Sequence, residues 1–356
     1  MRLIPAPGRI LLLFLALVLG AVKCPAEGLT FFEQREAFPR PVLPQLRPDR
    51  TQLILNLSGQ WEVSIGDKTP ELSTWLPGCY SGEPRELQFS RSFNLPDSLA
   101  KWNFQLILPE VNYALQVWIN NRLVSSFAGG HLSFSCDVGH DLLRFNGPNE
   151  IVLKVSDELS PTASLPLSRQ LLQPMNFGGF PSGVYLRGVP NWSIEGAKLV
   201  QRSSESLGMT SLDVSVRIAH YASQSTQLDS VAESALQIYV SVRDSTGELM
   251  TETRRDLAGR SAEEAFQMTV SLPSFSPDLW SPDAPTLYEL TVALLAESDT
   301  VHQLVRTVGF KQLDIRGGNI FLNGSRLRVR GMDYIPEPPS GDVLRPCRKW
   351  SRMLRR

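Results

Sequence analysis

The sequence predicts an all-β chain, and three observations carry this prediction. In residues 104–155 apolar side chains recur at every second position, which is the pattern of half-buried strands. Turn-forming residues, beginning with Asn120-Asn121, separate these runs. No helical period appears over about fifty residues, so we expect five strands of an antiparallel sandwich here.

The turns indicate where these strands begin and end. Asn120-Asn121 can adopt the left-handed backbone of a tight hairpin, which predicts a return strand at Leu123-Val124. Gly129-Gly130 predicts a sharp bend, and residues 146–149 a second turn before a strand at 151–155. We interpret the alternating aromatic residues of the first sandwich as core rather than sugar platforms: Trp61, Phe93, Trp118 and Phe134.

A second all-β unit begins at Trp192. Turn signals such as residues 244–247 separate its apolar runs, and the spacing is typical of an immunoglobulin-like sandwich of about 100 residues. Its expected strands cover residues 194–200, 212–218, 235–240, 266–270 and 288–294.

The N-terminal residues 1–26 have the pattern of a secretory signal peptide. Arg2 and Arg9 precede an apolar run at 10–22 that is short for a membrane span, and Ala26 offers a small residue for cleavage. The alternative is a retained N-terminal anchor. Residues 27–49 contain several prolines and predict an extended arm. We therefore expect an exported protein that is free of the membrane after cleavage.

The net charge and the positions of the histidines and cysteines exclude several classes of function. The net charge of −1 makes nucleic acid and anionic membranes poor partners. The four histidines are scattered and no C-x-x-C occurs, so we expect neither a metal site nor a cofactor.

Three cysteines remain after the predicted signal, and Cys347 is the one left over. Cys79 and Cys136 both fall in the first sandwich. They are either a disulfide pair or two buried free thiols, and the sequence leaves both possibilities open.

Several motifs of the chain together resemble glycoside hydrolase family 2, which includes β-galactosidases, β-glucuronidases and β-mannosidases. V-W-I-N-N-R-L-V, G-G-H-L-S-F-S-C-D-V and G-P-N-E-I-V-L-K-V follow one another as in the family's sugar-binding jelly roll. Residues 279–288 resemble its hinge, and residues 308–333 its junction with a (β/α)₈ barrel. The resemblance implies a jelly-roll sandwich over 50–193 and an immunoglobulin-like sandwich over 194–310. In residues 311–356 it implies only the first strand of a truncated TIM barrel, at 329–331.

By this resemblance the activity is retaining hydrolysis of β-O-glycosidic bonds, with carbohydrate as the partner. Such enzymes use two glutamates, and no carboxylate of this chain matches either motif. We therefore assign no catalytic residue, interpret Glu263-Glu264 as a solvated face, and expect the chain alone to be inactive. The alternative is a non-catalytic carbohydrate-binding or scaffold module.

The loop that ends at residue 181 resembles the family's loop beside the active site. Asn176 matches the asparagine of that pattern, and its amide suits a sugar hydroxyl; the alternative is that it satisfies loop backbone. Ser182 and Gly183 stand where the pattern has an arginine and usually an aspartate. Any ion pair that those two residues make in relatives is therefore not expected here.

The tail, residues 345–356, is strongly basic and lacks the period of an amphipathic helix. It indicates a frameshifted or truncated reading frame; the alternative is a functional basic C-terminus. We expect residues from about Arg316 onward to be loosely docked, with an apolar edge facing water.

Overall fold

The computed structural model describes residues 21–24, 29–33, 51–66, 72–81, 86–158, 178–203, 210–221, 236–257, 265–297 and 299–331. Over these residues the chain forms strands joined by turns and two short 3₁₀ segments, Asp97–Leu99 and His140–Leu142. The all-β prediction is confirmed.

The first unit is a sandwich of two antiparallel sheets. One sheet has the strand order β1-β2-β6-β13-β8-β14-β3, with β11 on the free side of β8, and the other has the order β10-β9-β12-β7-β4-β5. Its strands are β1 (Ala21–Cys24), β2 (Leu29–Glu33), β3 (Leu53–Asn56), β4 (Gly59–Ile65), β5 (Leu72–Leu76), β6 (Gly78–Ser81), β7 (Glu86–Leu95), β8 (Asn103–Asn112), β9 (Ala114–Ile119), β10 (Arg122–Phe127), β11 (Gly130–Val138), β12 (Gly147–Ser156), β13 (Gly178–Phe180) and β14 (Tyr185–Val189).

The five strands expected from residues 104–155 are β8 to β12. Asn120 and Asn121 have φ of 48° and 64°, the left-handed values that a two-residue hairpin turn requires. Asn146 also has a positive φ, and β12 begins directly after it rather than at Ile151. The inner faces interlock where the ring of Phe89 meets that of Phe180 edge-on, with centroids 5.4 Å apart.

The prediction that all four aromatic residues lie in the core is wrong for one of them. Trp61 and Phe134 are buried in the core, and Phe93 packs partly buried against it. Trp118 lies between Val117 and Ile119, whose side chains fill the core, so its indole projects from the opposite, outward face of β9. An aromatic residue in a strand run does not by itself show which face is buried.

The second unit is a smaller sandwich with the sheet orders β15-β16-β19 and β18-β17-β20-β21. Its strands are β15 (Trp192–Ser203), β16 (Thr210–His220), β17 (Leu236–Arg243), β18 (Leu249–Asp256), β19 (Ala265–Phe275), β20 (Tyr288–Ala296) and β21 (Asp299–Val308). Sequence reasoning did not predict β18 and β21. Both are edge strands, and β18 carries exposed charges that hide its period while protecting the edge from pairing.

A third, small sheet follows, made of β22 (Leu313–Arg316), β23 (Asn319–Leu322) and β24 (Ser325–Leu327). Asn323 and Gly324 have φ of 52° and 79°, which confirms the predicted tight turn. The Asn323 side chain donates to the Trp280 carbonyl at 3.0 Å, and so ties this sheet to the second sandwich. The expectation that residues from about Arg316 onward are mobile or loosely docked stays a prediction.

The expected barrel strand does not form in the part of the chain that the structure describes. Residues 328–331 have no strand partner, because the neighbouring parallel strands that a barrel strand needs are not among the described residues.

The preceding sheet is amphipathic. Cross-strand pairing places Leu313, Ile315, Ile320, Leu322 and Leu327 on one face. The side chains of Leu313 and Ile315 are 59% and 76% exposed, so this apolar face is largely uncovered.

Strands β1 and β2 lie in the segments that the sequence assigns to the signal peptide and the arm. β2 pairs with β6, and β1 pairs with β2, so part of the predicted arm belongs to the first sandwich.

The predicted alternative of a disulfide between Cys79 and Cys136 is wrong, because both thiols are free. Cys79 lies beside Gly179, which pairs with Asn112, whereas Cys136 pairs with Leu106 on the other side of β8. Leu106 and Asn112 are about 20 Å apart along the strand. A disulfide requires a Cα separation of roughly 4.4–6.8 Å, so the two thiols cannot meet in this fold.

Candidate functional site

One group of titratable side chains lies at the end of the first sandwich. Ser182 donates its hydroxyl to Glu110 Oε2 at 3.3 Å, linking the end of β8 to the turn after β13. Ser182 is the residue that replaces the arginine of the family pattern. A hydroxyl–carboxylate contact therefore exists at this position instead of an ion pair from residue 182.

Cys79 and Tyr113 belong to the same group. Burial, followed by the charge of Glu110, raises the pKa of the Cys79 thiol to about 12. Burial, followed by Asp157, Cys79 and Glu110, raises the pKa of Tyr113 to about 12. Both groups therefore stay protonated near neutral pH, and Cys79 is not an activated nucleophile. The pKa of Cys136 is likewise raised to about 12, by burial and then by Asp137.

Asn176, the predicted sugar-binding residue, lies outside the described residues. Two residues later Gly178 begins β13, where Gly179 has φ of +113°. A Cβ atom at Gly179 would lie 2.9 Å from the Gly78 carbonyl oxygen, so only glycine fits here. This tight β6–β13 pairing fixes where the chain enters the sandwich.

A second polar cluster joins the two sandwiches, and we call it the joint. Its centre is Arg187 of β14, which is 2% exposed. Its Nε donates to Gln52 Oε1 at 2.9 Å and its Nη1 donates to Gln105 Oε1 at 3.0 Å. Buried polar groups that are hydrogen-bonded in this way rigidify a contact, whereas unsatisfied ones are costly. The joint therefore specifies how the sandwiches meet.

His302 of β21 completes the joint from the second sandwich. The backbone N–H of Ile194 donates to its Nδ1 at 3.0 Å, and Arg187 Nη2 lies 3.3 Å from its Nε2. Burial, and then the charge of Arg187, lowers the pKa of His302 to about 3. The imidazole is therefore neutral, and its Nδ1 is the nitrogen that accepts.

Two carboxylates meet at the rim of the joint. The Tyr221 hydroxyl lies 3.1 Å from Glu195 Oε1 and 3.3 Å from Asp137 Oδ1, and Gln105 Nε2 donates to Asp137 Oδ1 at 2.9 Å. Burial, then Glu195 and Asp137, raises the pKa of Tyr221. The hydroxyl thus remains a donor, and both carboxylates serve as acceptors within a structural network.

Sequence reasoning missed the joint, although one signal pointed to it. Arg187 interrupts an otherwise apolar run at 184–189, and an arginine within such a run needs buried partners. Within the described ranges, no three His, Cys, Asp or Glu residues lie close enough to hold a metal ion. None of the described residues form a helix with the length and hydropathy that crossing a bilayer requires.

Comparison with known proteins finds a family model that matches the second sandwich. Residues 194–311 match the sequence model of Glycosyl hydrolases family 2. The second sandwich is therefore similar in sequence to a domain of this family. The resemblance seen in the sequence is thereby confirmed.

Curated relatives extend the similarity to the first sandwich. A putative β-glucuronidase from Formosa agariphila is 26% identical over 229 residues, which cover 64% of this chain and 25% of that protein. A β-galactosidase from Staphylococcus xylosus is 24% identical over 297 residues, covering 82% of this chain and 26% of the relative. The chain thus spans about a quarter of the length of these curated relatives.

Solved structures share the fold. β-Glucuronidase 2 of Bacteroides uniformis, covalently bound to cyclophellitol-6-carboxylate aziridine, superposes with a TM-score of 0.67 at 18% identity, over 79% of this chain and 35% of that one. A β-glucuronidase from Ruminococcus gnavus in complex with uronic isofagomine gives a TM-score of 0.59 at 16% identity, over 81% and 50%. The fold of the two sandwiches is therefore shared with these β-glucuronidase structures.

Proposed function

We propose that these two sandwiches are the non-catalytic part of a family 2 retaining β-glycosidase, which hydrolyses O-glycosyl bonds of a carbohydrate. The observation that carries the proposal is the uncovered apolar face of β22–β24, with Leu313 and Ile315 largely exposed and Val329 beyond it 71% exposed. An apolar sheet face is normally buried against another layer of structure. In this proposal, the catalytic part of the enzyme packs on this face and supplies both glutamates.

The described carboxylates support the proposal that the catalytic residues belong to another part of the enzyme. Retaining glycosidases need two carboxyl groups about 5 Å apart beside an open sugar site. Asp137 and Glu195 both lie beside the Tyr221 hydroxyl, and that hydroxyl and the Gln105 amide contact them directly. A pair that is engaged in this way holds the sandwiches together and leaves no room for a sugar.

We expect the purified chain to show no turnover of aryl β-galactosides, β-glucuronides or β-mannosides. Release of the aryl group, followed by absorbance over hours, measures it. Turnover that persisted after purification and disappeared in Glu195→Gln would contradict the proposal, because the pair at the joint would then be catalytic. Glu252→Gln is the matched control, since Glu252 lies exposed on the edge strand β18.

We expect the chain to self-associate through the β22–β24 face, because apolar side chains in water favour any complementary surface. Sedimentation velocity over a range of concentrations measures the association. Ile315→Lys should abolish it and leave the melting of both sandwiches unchanged within about 0.5 kcal/mol, as is usual for exposed sites. Leu249→Lys, at an exposed leucine of the second sandwich, is the control and should change nothing. Equal association of the wild-type and Ile315→Lys proteins would remove the main support for the proposal.

Export is part of the same proposal. The positively charged start and the apolar run at 10–22 support cleavage near Glu27, which would remove β1 and leave β2 as the edge of the first sheet. Mass spectrometry of the protein recovered from the periplasm or medium would identify the mature N-terminus; an intact Met1 on the recovered protein would contradict export by this route.

A further inference from the structure

Each sandwich has a hydrophobic core of its own. One cluster of buried apolar side chains lies in the first sandwich, between Leu57 and Leu186, and a separate cluster lies in the second, between Trp192 and Phe310. The chain passes from one sandwich to the other through residues 190–191, between β14 and β15. Domains that share no apolar core move relative to one another unless other contacts hold them. The contacts of the joint therefore decide whether the chain bends here.

Hydrogen bonds span the joint. The backbone N–H of Gln303 in β21 donates to Thr51 Oγ1 at 3.1 Å, and Gln105 Nε2 in β8 donates to the Tyr221 hydroxyl oxygen at 2.7 Å. Water replaces bonds of this kind when the partners separate, so each one contributes little net free energy to the contact. A change in one buried group of the joint can then shift the balance between a closed and an open arrangement.

Asn191 marks the position of a hinge. Its side-chain oxygen accepts from Asn103 Nδ2 at 3.0 Å, and its carbonyl accepts from the backbone N–H of Tyr221 at 2.8 Å. Asn103 belongs to the first sandwich and Tyr221 follows β16 of the second, so one connecting residue is tied to both. The strands of the first sandwich pair only with one another, as do those of the second. A rotation about residues 190–191 therefore separates the sandwiches without breaking strand pairing inside either of them.

His302 is the buried group whose charge the closed joint controls. Its side chain is 0% exposed, and both of its ring nitrogens face N–H groups. Nδ1 lies 3.0 Å from the backbone nitrogen of Ile194, and Nε2 lies 3.3 Å from Arg187 Nη2. A protonated ring has two donors and no acceptor, so each of its N–H groups would point at another donor. In an open joint, water accepts from both ring nitrogens.

The groups around His302 do not offset a positive charge on it. The charged and titratable groups on the surrounding elements are Arg187 of β14, Glu195 of β15, Asp137 of β11, Tyr221 after β16 and Arg306 of β21. Arg187 is a permanent cation in direct contact with the ring. Both carboxylates accept from Tyr221 and Gln105 at the rim. Burial, and then Arg187, lowers the pKa of His302 to about 3, which agrees with this arrangement.

We propose that the joint is an acid-sensitive hinge, in which the sandwiches rotate apart about residues 190–191 when His302 takes up a proton, while each sandwich stays folded. Opening changes how the first sandwich is held relative to the second, and so relative to the β22–β24 sheet that the second carries. The hinge does not depend on the proposed hydrolase function, because all of its groups belong to the two sandwiches.

Proton linkage sets the size of the effect. In the open joint the ring of His302 is hydrated and regains its ordinary pKa of 6.5, whereas the closed joint holds that pKa at about 3. The equilibrium constant for opening is therefore constant above pH 6.5 and rises about tenfold for each pH unit below it. Between pH 7.5 and 5.0 the increase amounts to about thirtyfold.

Hydrogen exchange of the full chain, resolved to single amides by mass spectrometry, tests the hinge at pH 7.5 and 5.0 in low concentrations of urea. The Gln303 amide reports opening, because its bond to Thr51 spans the joint. The Leu153 and Val240 amides report unfolding of the first and second sandwich, since both residues are buried in inner strands. The protection factor of Gln303 should fall about thirtyfold from pH 7.5 to 5.0 and should not depend on urea, because opening exposes little surface. Protection of Leu153 and Val240 should be higher and should decrease as urea is added.

Variants assign the trigger. His302→Gln should remove the thirtyfold fall at Gln303, because glutamine takes up no proton. His131→Gln is the matched control, since residue 131 lies about 20 Å along β11 from Asp137 at the rim, and it should retain the fall.

Three results would overturn the inference. Equal urea dependence of the three amides would show that the joint opens only when the sandwiches unfold. A fall of the same size in His302→Gln, or its loss in His131→Gln, would assign the trigger to another group. If His302→Gln did not fold, a pH series on the wild-type chain decides: protection of Gln303 that falls tenfold per unit below pH 6.5 supports the hinge, and a flat profile contradicts it.

Discussion

Lowering the pH from 7.5 to 5.0 is expected to cost the chain about 2 kcal/mol of unfolding free energy through His302 alone. The pKa of His302 is lowered from 6.5 to about 3 in the folded chain, by burial and then by Arg187. Below pH 6.5 the unfolded chain therefore binds a proton at this site that the folded chain excludes. Stability from this group is complete above pH 6.5 and falls by about 1.4 kcal/mol per pH unit until pH reaches about 3.

Urea unfolding at both pH values measures the effect, and His302→Gln isolates it. Other groups titrate in both proteins, so the comparison is between the two pH-dependent losses. The loss should be about 2 kcal/mol smaller in His302→Gln, because glutamine takes up no proton. His140→Gln is the matched histidine substitution at an exposed position, and its pH-dependent loss is compared with that of His302→Gln. An identical pH dependence in His302→Gln and the wild-type chain would show that His302 is not held neutral.

The sequence predicted the elements whose signals are local. Hairpins at Asn120-Asn121 and Asn323-Gly324 follow from the left-handed backbone that these residues tolerate, and the structure has both. The edge strands β18 and β21 were missed, because an edge strand gains from exposed polar residues and so loses the alternation that identifies it. Periodicity identifies strands that are buried on one face and fails at the margins of a sheet.

The functional features depend on contacts between residues that are distant in sequence. Arg187 and His302 are 115 positions apart, and only the docking of two sandwiches brings them together. Trp118 was assigned to the core because the alternation along a strand shows that the strand has two faces. It does not show on which face a given aromatic residue lies. Ser182 was identified as a departure from the family pattern, but its contact with Glu110 required the fold.

Replacing Arg187 by methionine is expected to destabilise the chain by about 3 kcal/mol, because two buried amide oxygens lose their donor at once. These acceptors are Gln52 Oε1 and Gln105 Oε1, and both glutamines are buried where the sandwiches meet. Methionine keeps most of the volume of the arginine stem, so the loss reports hydrogen bonding rather than a cavity. Urea unfolding at pH 7.5 measures it, and Arg254→Met, at an exposed arginine of β18, should change stability by less than about 0.5 kcal/mol.

The same substitution should also reduce the acid sensitivity of the chain, which a loss of packing alone would not do. Arg187 is one of the two causes that lower the pKa of His302, so without its charge that pKa rises toward 6.5. The stability lost between pH 7.5 and 5.0 should then be smaller in Arg187→Met than in the wild-type chain. Combining Arg187→Met with His302→Gln should cost less than the sum of the single changes, as expected for side chains in one network. Strict additivity would mean that Arg187 and His302 act separately, and that the joint is two independent contacts rather than one.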